Sequence, residues 1–462
     1  MKHASSAPQS PNSGDLGKQF YNFLGAYILV ALSGCLGNVV DGIIVGNLID
    51  ADGVSAINLS KPVNQFIFTL HLLINAGAGM LVGYALGKND IMGARRLFTL
   101  ALTISCGIGI LLALVGGVLL PDATARLLCS NEQILPLARD YLQVLLLGNP
   151  AFILMWGLST MVGVDGQPKL VSAAVIIDNV VNLCLDIVFI QWLGWGITGS
   201  SAATVVGHLV GIAILLTHWS HAPNGSRIRY SFTNLLNATT PLSGWRSVGS
   251  EASRIISQGA PLAIASISLT LLLLSANTIV LSTLGRTGIF AFAVCMNLLQ
   301  VYNLFLSGTC QTLQSLGAIQ VGKGDADGLR TVIRKALRFI TVAMVVTCLF
   351  VWIDPQAIAA LFGADNPAYI DETDDALRIF ALSFIPFCYI YVLMIIYKLH
   401  GQHFMALFIS FALSLTVIPV LWLMSKAAPG YLWYSYLIAY IIEILVIAAL
   451  HFGRKQSREC FQ

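Results

Sequence analysis

Ile176–Ile190, IIDNVVNLCLDIVFI, is the stretch from which the fold is read. It lies inside an apolar run, 170–193, whose 24 residues extend about 36 Å as a helix, enough to cross a bilayer. Asp178, Asn179, Asn182 and Asp186 interrupt that run. At about 100° per residue they share one stripe about 100° wide, and the remaining surface is apolar. An aspartate near the middle of a membrane helix costs about 2.5–3.5 kcal/mol on insertion scales, so two on one face need partners or water. The stripe is read as a cation or proton site facing an internal cavity. Adhesion between helices alone seldom needs two ionisable groups.

The composition agrees. Of 462 residues, 56% are hydrophobic and 10% charged, against about 25% charged in soluble domains, and the mean hydropathy is +0.79. This predicts an all-α polytopic membrane protein. Twelve apolar segments of spanning length can be drawn: 20–48, 54–82, 97–120, 138–162, 170–193, 197–218, 255–284, 288–318, 336–353, 376–397, 404–425 and 431–452. With both termini inside, 19 of the 25 lysines and arginines fall on the inner side, so the termini are expected in the cytoplasm. The net charge of +3 then reports topology and implies no nucleic-acid partner. Residues Met1–Gly17 lack the pattern of a signal peptide and read as a short tail. Seven of the nine cysteines lie in apolar spans, and no CxxC pattern suggests a metal.

The chain also repeats itself. GKNDIMGAR (Gly87–Arg95) and GKGDADGLR (Gly322–Arg330) share Gly, Lys, Asp, Gly and Arg at an offset of 235. The same offset relates Gln65 to Gln300, Asp140 to Asp375, Leu142 to Leu377, Gly166 to Gly401 and Gln167 to Gln402. Two pseudo-symmetric six-helix lobes of parallel topology follow. Their expected bounds are a tail at 1–19, lobes at 20–219 and 255–452, a polar linker at 220–254 and a tail at 453–462. Lobes of this kind enclose a cleft suited to alternating access.

Depth selects the candidate residues. Asp41, Asp186 and Thr204 each lie about seven residues from the outer end of their spans, roughly 10 Å below the outer surface. Asn182 is one turn deeper than Asp186 on the same face. Two carboxylates, an amide oxygen and a hydroxyl make a set of hard oxygen ligands for a small cation, or a protonatable pair. The second lobe offers Asn277 in place of Asp41 and no acid in its counterpart of span five. Its one buried acid, Glu443, is expected to pair within the bundle. Asn64, Gln65, Asn297 and Gln300 are uncharged groups suited to lining a substrate cavity. Asp178, about 12 Å deeper than Asp186, either faces the cleft as a counter-charge or second proton station, or bonds a neighbouring helix. Asp325-Ala-Asp327 is better read as a helix cap than as a sugar-nucleotide motif. No Walker, GxSxG or HExxH pattern appears.

These residues resemble the multidrug and toxic compound extrusion (MATE) transporters from Phe20 to Phe452. VVDGIIVGNL, GYALGKNDIMGARR, VDGQPKL and NLCLDIVFIQWLGWGITGSSAAT carry the resemblance. It implies twelve helices in two V-shaped lobes and export of amphipathic, often cationic compounds against inward Na⁺ or H⁺ flow. In the DinF-type branch the coupling residues correspond to Asp41, Asn182, Asp186 and Thr204. The acids that other branches place in spans seven and ten are missing, as is a proline that kinks span one. The expectation is therefore a monomeric, cation-coupled antiporter in a plasma membrane (the inner membrane in a bacterium). It would act on small molecules, with the lipid bilayer as its surroundings and no cofactor beyond the coupling ion. Two alternatives are a flippase for lipid-linked saccharides, which would need phosphate-binding arginines in its spans, and a membrane-embedded lipid-modifying enzyme, which would need a catalytic motif.

Overall fold

The computed structural model describes residues 13–49, 51–128, 132, 134–220, 228, 242–362 and 366–460. Nearly all of them are helical, as lipid requires: each backbone N–H and C=O must find its partner within its own segment. In the first half α1 (Ser13–Leu48) is followed by α2 (Ala51–His71), which passes through a π-helical turn into α3 (Gly77–Gly87). Then come α4 (Ile91–Leu112), the short α5 (Pro121–Leu128), α6 (Leu135–Leu147), α7 (Asn149–Val164), α8 (Pro168–Ile187) and α9 (Gly196–Ser220). The pair α6 and α7 bends by 47° at Gly148–Asn149–Pro150, where the proline ring cannot continue the helix. The second half holds α10 (Leu242–Lys323), α11 (Ala326–Ile353), α12 (Pro355–Leu361), α13 (Pro367–Leu399), α14 (His403–Leu415), α15 (Val417–Ala427) and α16 (Tyr434–Cys460).

Among the described residues ten helices are long and apolar enough to span a membrane, or eleven when the bent pair α6–α7 counts as one span. One of the ten, 248–323, has 76 residues. As a straight helix it would be about 114 Å long, far beyond a hydrocarbon core of about 30 Å. Its backbone leaves helical geometry at Gly285 (φ 66°, ψ −147°), between the segments expected at 255–284 and 288–318. Helix also extends into the stretches read as tails and linker, because α1 begins at Ser13, α10 at Leu242, and α16 reaches Cys460.

Two hydrophobic cores correspond to the two lobes. One joins residues of α3, α4, α7, α8 and α9, and the other joins residues of α10, α11, α13, α14 and α16. Met80 of α3 and Ile255 of α10 cross to the other core, and so does the first half of α1 (Phe20, Phe23, Leu24, Tyr27), which is buried in the second core. The second half of α1 lies along α8, where Asn179 Nδ2 donates to Ser33 Oγ at 2.9 Å.

The lobes meet at the repeated glycines. A Cβ on Gly87 would lie 2.2 Å from the Ile319 carbonyl oxygen and 2.7 Å from Gly322 Cα. One on Gly322 would lie 2.2 Å from the Tyr84 carbonyl oxygen and 2.9 Å from Gly87 Cα. At the repeat offset Tyr84 corresponds to Ile319 and Gly87 to Gly322, so the axis relating the halves passes between these two glycines. The contact lies on the side of the molecule that holds the start of α1, the terminus side.

The turn that follows explains the rest of the repeated motif. Asn89 (φ 58°) and Gly324 (φ 70°) are left-handed. Asp90 and Asp325 then cap α4 and α11, each accepting from the backbone N–H of the glycine three residues on, at 2.8 Å. A side chain at Gly93 or Gly328 would strike the capping carboxylate at 2.2 or 2.3 Å. Asp325 is a cap, as its sequence context suggested, while Asp327 is exposed and pairs with Arg330 at 3.4 Å.

Replacing Gly322 by Ala is expected to lower the stability of the purified protein by about 1–3 kcal/mol, because backbone must move to admit the methyl group. Gly107→Ala, with nothing within 4 Å of the added atom, is the control. Equal melting temperatures for the two variants would contradict the axial contact.

Candidate functional site

The polar stripe of α8 is matched by α9. The chain turns between them through Gly194 and Gly196, both at positive φ (66° and 55°), and returns antiparallel. Glycines on α9 let the two backbones approach: a Cβ on Gly207 would meet Asp178 Oδ1 at 2.6 Å, and one on Gly199 would meet Phe189 Cβ at 3.0 Å. Two rungs cross the interface. His208 Nδ1 and Asp178 Oδ2 are 2.9 Å apart, and Asn182 Nδ2 donates to Thr204 Oγ1 at 3.2 Å. Each rung advances four residues along α8 and retreats four along α9. The next level pairs 186 with 200, where Asp186 is fully buried and Ser200 and Ser201 are buried too.

Asn182, Asp186 and Thr204 thus come together in the α8–α9 interface. Asp41 lies in α1, but its side chain is outside the described residues. Its helix is parallel to α8, and the contact between Ser33 and Asn179 sets a register in which position 41 comes about level with 187.

The residues expected to line a substrate cavity are dispersed. Gln65 Nε2 donates to Ser266 Oγ across the lobes at 2.7 Å, and Asn64 nearby is half-buried. Asn297 is exposed and donates to the Ala293 carbonyl in its own helix at 2.9 Å, and Gln300 is exposed. Asp178 is 5% exposed and is turned to α9.

Three features escaped the sequence. His208 is the partner of Asp178, with the centre of the Phe152 ring 5.2 Å from that of its own in a T-shaped arrangement; its only trace is its place between the packing glycines 207 and 211. Glu443 does not pair as expected: it is 1% exposed, and neither carboxylate oxygen has a hydrogen-bond partner among the described residues. It stands at the repeat counterpart of His208, but the position matching Asp178 is Leu413. Lys398, counted among the residues that set the orientation, is fully buried, with no hydrogen-bond partner for Nζ among the described residues.

His208→Ala would strand the Asp178 carboxylate inside the lobe, and an expected loss of about 3–5 kcal/mol follows for breaking a buried pair from one side. Asp178→Asn, which still presents an acceptor to the ring, is expected to cost about 1 kcal/mol. Denaturant unfolding of the purified variants measures both. Losses below 1 kcal/mol for both would show that the pair is not an anchor.

The family model MatE matches this chain twice, over residues 26–188 and 261–423, two stretches that start 235 residues apart. The multidrug export protein MepA of Staphylococcus aureus (strain bovine RF122) is 23% identical over 421 residues, 89% of each chain. The probable multidrug resistance protein YoeA of Bacillus subtilis is 24% identical over 200 residues, 42% of this chain and 43% of that one. Among solved structures, the Vibrio cholerae MATE transporter VcmN superposes with a TM-score of 0.85 at 18% identity, covering 97% of this chain and 99% of that one. A MOP superfamily transporter from Pyrococcus furiosus gives 0.83 at 18% identity, covering 97% and 98%. These likenesses establish the two-lobed membrane fold. With both halves matched at the spacing of the internal repeat, the chain belongs to the MatE family of membrane transporters.

Proposed function

We propose that this transporter is a cation-coupled antiporter of the DinF-type branch, exporting amphipathic, often cationic small molecules by alternating access of its lobes. MepA is named as a multidrug export protein and YoeA as a probable multidrug resistance protein. The observation that carries the coupling site is the buried Asp186, one rung beyond Asn182 and Thr204 in the α8–α9 interface. Asp41, level with it on α1, completes a set of oxygens for Na⁺ or a pair of carboxylates for H⁺.

The position of α1 supplies a route from that site to the lobes. Its second half lies on α8 and its first half is packed in the second lobe's core. A cation that draws position 41 toward α8 therefore acts on the junction between lobes, and a ligand that favours one arrangement shifts the population toward it. Contacts at Gly87 and Gly322 close the terminus side. Asn64, Gln65, Asn297 and Gln300 contribute polar groups to the substrate path, and Asp178, held by His208, fixes α8 against α9. The distribution of basic residues supports cytoplasmic termini in a plasma membrane. With Gly285 turning the chain between two spans, the protein has twelve crossings and works as a monomer.

Proteoliposomes under an imposed Na⁺ or H⁺ gradient, loaded with ethidium as a lipophilic cation, test this reading. Asp41→Asn and Asp186→Asn are each expected to abolish gradient-driven transport, with folded protein still in the membrane. Glu443→Gln is expected to keep its ion dependence. Undiminished transport by both aspartate variants would end the proposal, and loss of ion dependence in Glu443→Gln would move the coupling site to the second lobe.

A further inference from the structure

A column of arginines on α11 is not used by the transport reading. Arg330, Arg334 and Arg338 follow one another at four-residue intervals beside a groove of about 420 Å³, lined also by Ile333, Leu337 and Thr341. Arg330 meets Asp327 at 3.4 Å. Among the described residues Arg334 and Arg338 have no carboxylate within 4.0 Å. Lys335 is engaged elsewhere, with Nζ 5.0 Å from the centre of the Tyr21 ring of α1. Beyond Arg338 the same side of the helix continues as the exposed apolar side chains Val342, Val345 and Leu349.

The column begins among the inner-side basic residues and runs into the start of the span expected at 336–353. Arg338 lies twelve residues into α11, about 18 Å along the helix and about 12 Å past Arg330. At the repeat offset Arg330 corresponds to Arg95, yet Thr99 and Thr103 stand where Arg334 and Arg338 do. Both threonines donate to their own helix, to the Arg95 and Thr99 carbonyls at 2.8 Å. That face of the first lobe is also covered, with Phe98 stacked on Trp219 at 5.7 Å. The exposed arginine column is particular to the second lobe.

We infer that the terminus-side half of α11 binds an anionic phospholipid, its phosphate held by Arg334 and Arg338 and an acyl chain lying along Val342, Val345 and Leu349. The guanidinium fork matches the oxygens of a phosphodiester. An arginine at the entrance of a membrane span is stabilised by bringing an anion to it as well as by reaching for water. The apolar stripe begins one turn past the last arginine, as the passage from headgroup to chain requires.

The test uses the full chain in mild detergent. Dioleoyl phosphatidylglycerol or dioleoyl phosphatidylcholine is added at equal mole ratio, and retained lipid is counted by native mass spectrometry. Phosphatidylglycerol is expected to be retained in preference. Arg334→Gln/Arg338→Gln should weaken retention about thirtyfold, whereas Arg95→Gln should leave it unchanged. Arg334→Lys/Arg338→Lys, which keeps the charges, should keep most of the binding. Equal retention of the two lipids, or unchanged retention in the Gln variant, overturns the assignment. Loss in the Lys variant equal to that in the Gln variant, with both monodisperse on size exclusion, overturns its electrostatic basis. Glycerol 3-phosphate supplies the headgroup chemistry without chains, and binding as tight as the lipid's would make the site one for a soluble anion instead.

Discussion

The architecture depends on the approach of two backbones at Gly87 and Gly322. Lipid tails are as apolar as leucine side chains, so lobes in a membrane gain little from burying apolar surface against one another. Close backbone packing and cross-lobe hydrogen bonds such as Gln65 to Ser266 are the attractions that remain, and the packing requires the absence of a Cβ. Because the two glycines correspond in the repeat, each lobe provides the hole for the other, and the contact sits on the symmetry axis. The capped turns after them fix where α4 and α11 depart. One short motif therefore sets both the junction and the exits of two helices.

Most of this was legible in the chain because membranes leave few choices. Apolar length gives the helices, and a constant offset gives the two halves. The role of Asp325 could be read from the next residues alone, since a cap is local. What could not be read depends on rotation and bending. His208 in an apolar span looks like packing until α9 is turned against α8. Glu443 looks like a paired acid until the opposite position proves to be Leu413. The break within 248–323 turns on the φ of one glycine. Depth along a straight helix is linear in residue number, which puts Asn182 and Thr204 near one level; their hydrogen bond needs the rotation as well.

The two lobes share a scaffold and differ in chemistry. In the first, the α8–α9 interface carries an ordered series of polar partners, and Gly199 and Gly207 give it room. In the second, the matching helices bury Ser410, Ser414, Ser435 and Glu443 but have leucines, Leu413 and Leu421, where Asp178 and Asp186 stand in the first, and an arginine column lies outside on α11. Duplicated halves free one copy from the constraints of the other, so a pseudo-symmetric frame can hold polar groups inside one lobe and present them at the surface of its twin.

The division of α1 has a consequence for biosynthesis. Phe20, Phe23 and Tyr27 are made first, yet the core that buries them includes Leu262, Leu306 and Leu313. At about 5–20 residues per second, the ribosome needs roughly 10–50 s to supply even the first of these. During that interval the aromatic face of α1 is clothed by lipid or by the insertion machinery. The amino-terminal half cannot reach its final form until the carboxy-terminal half has entered the membrane.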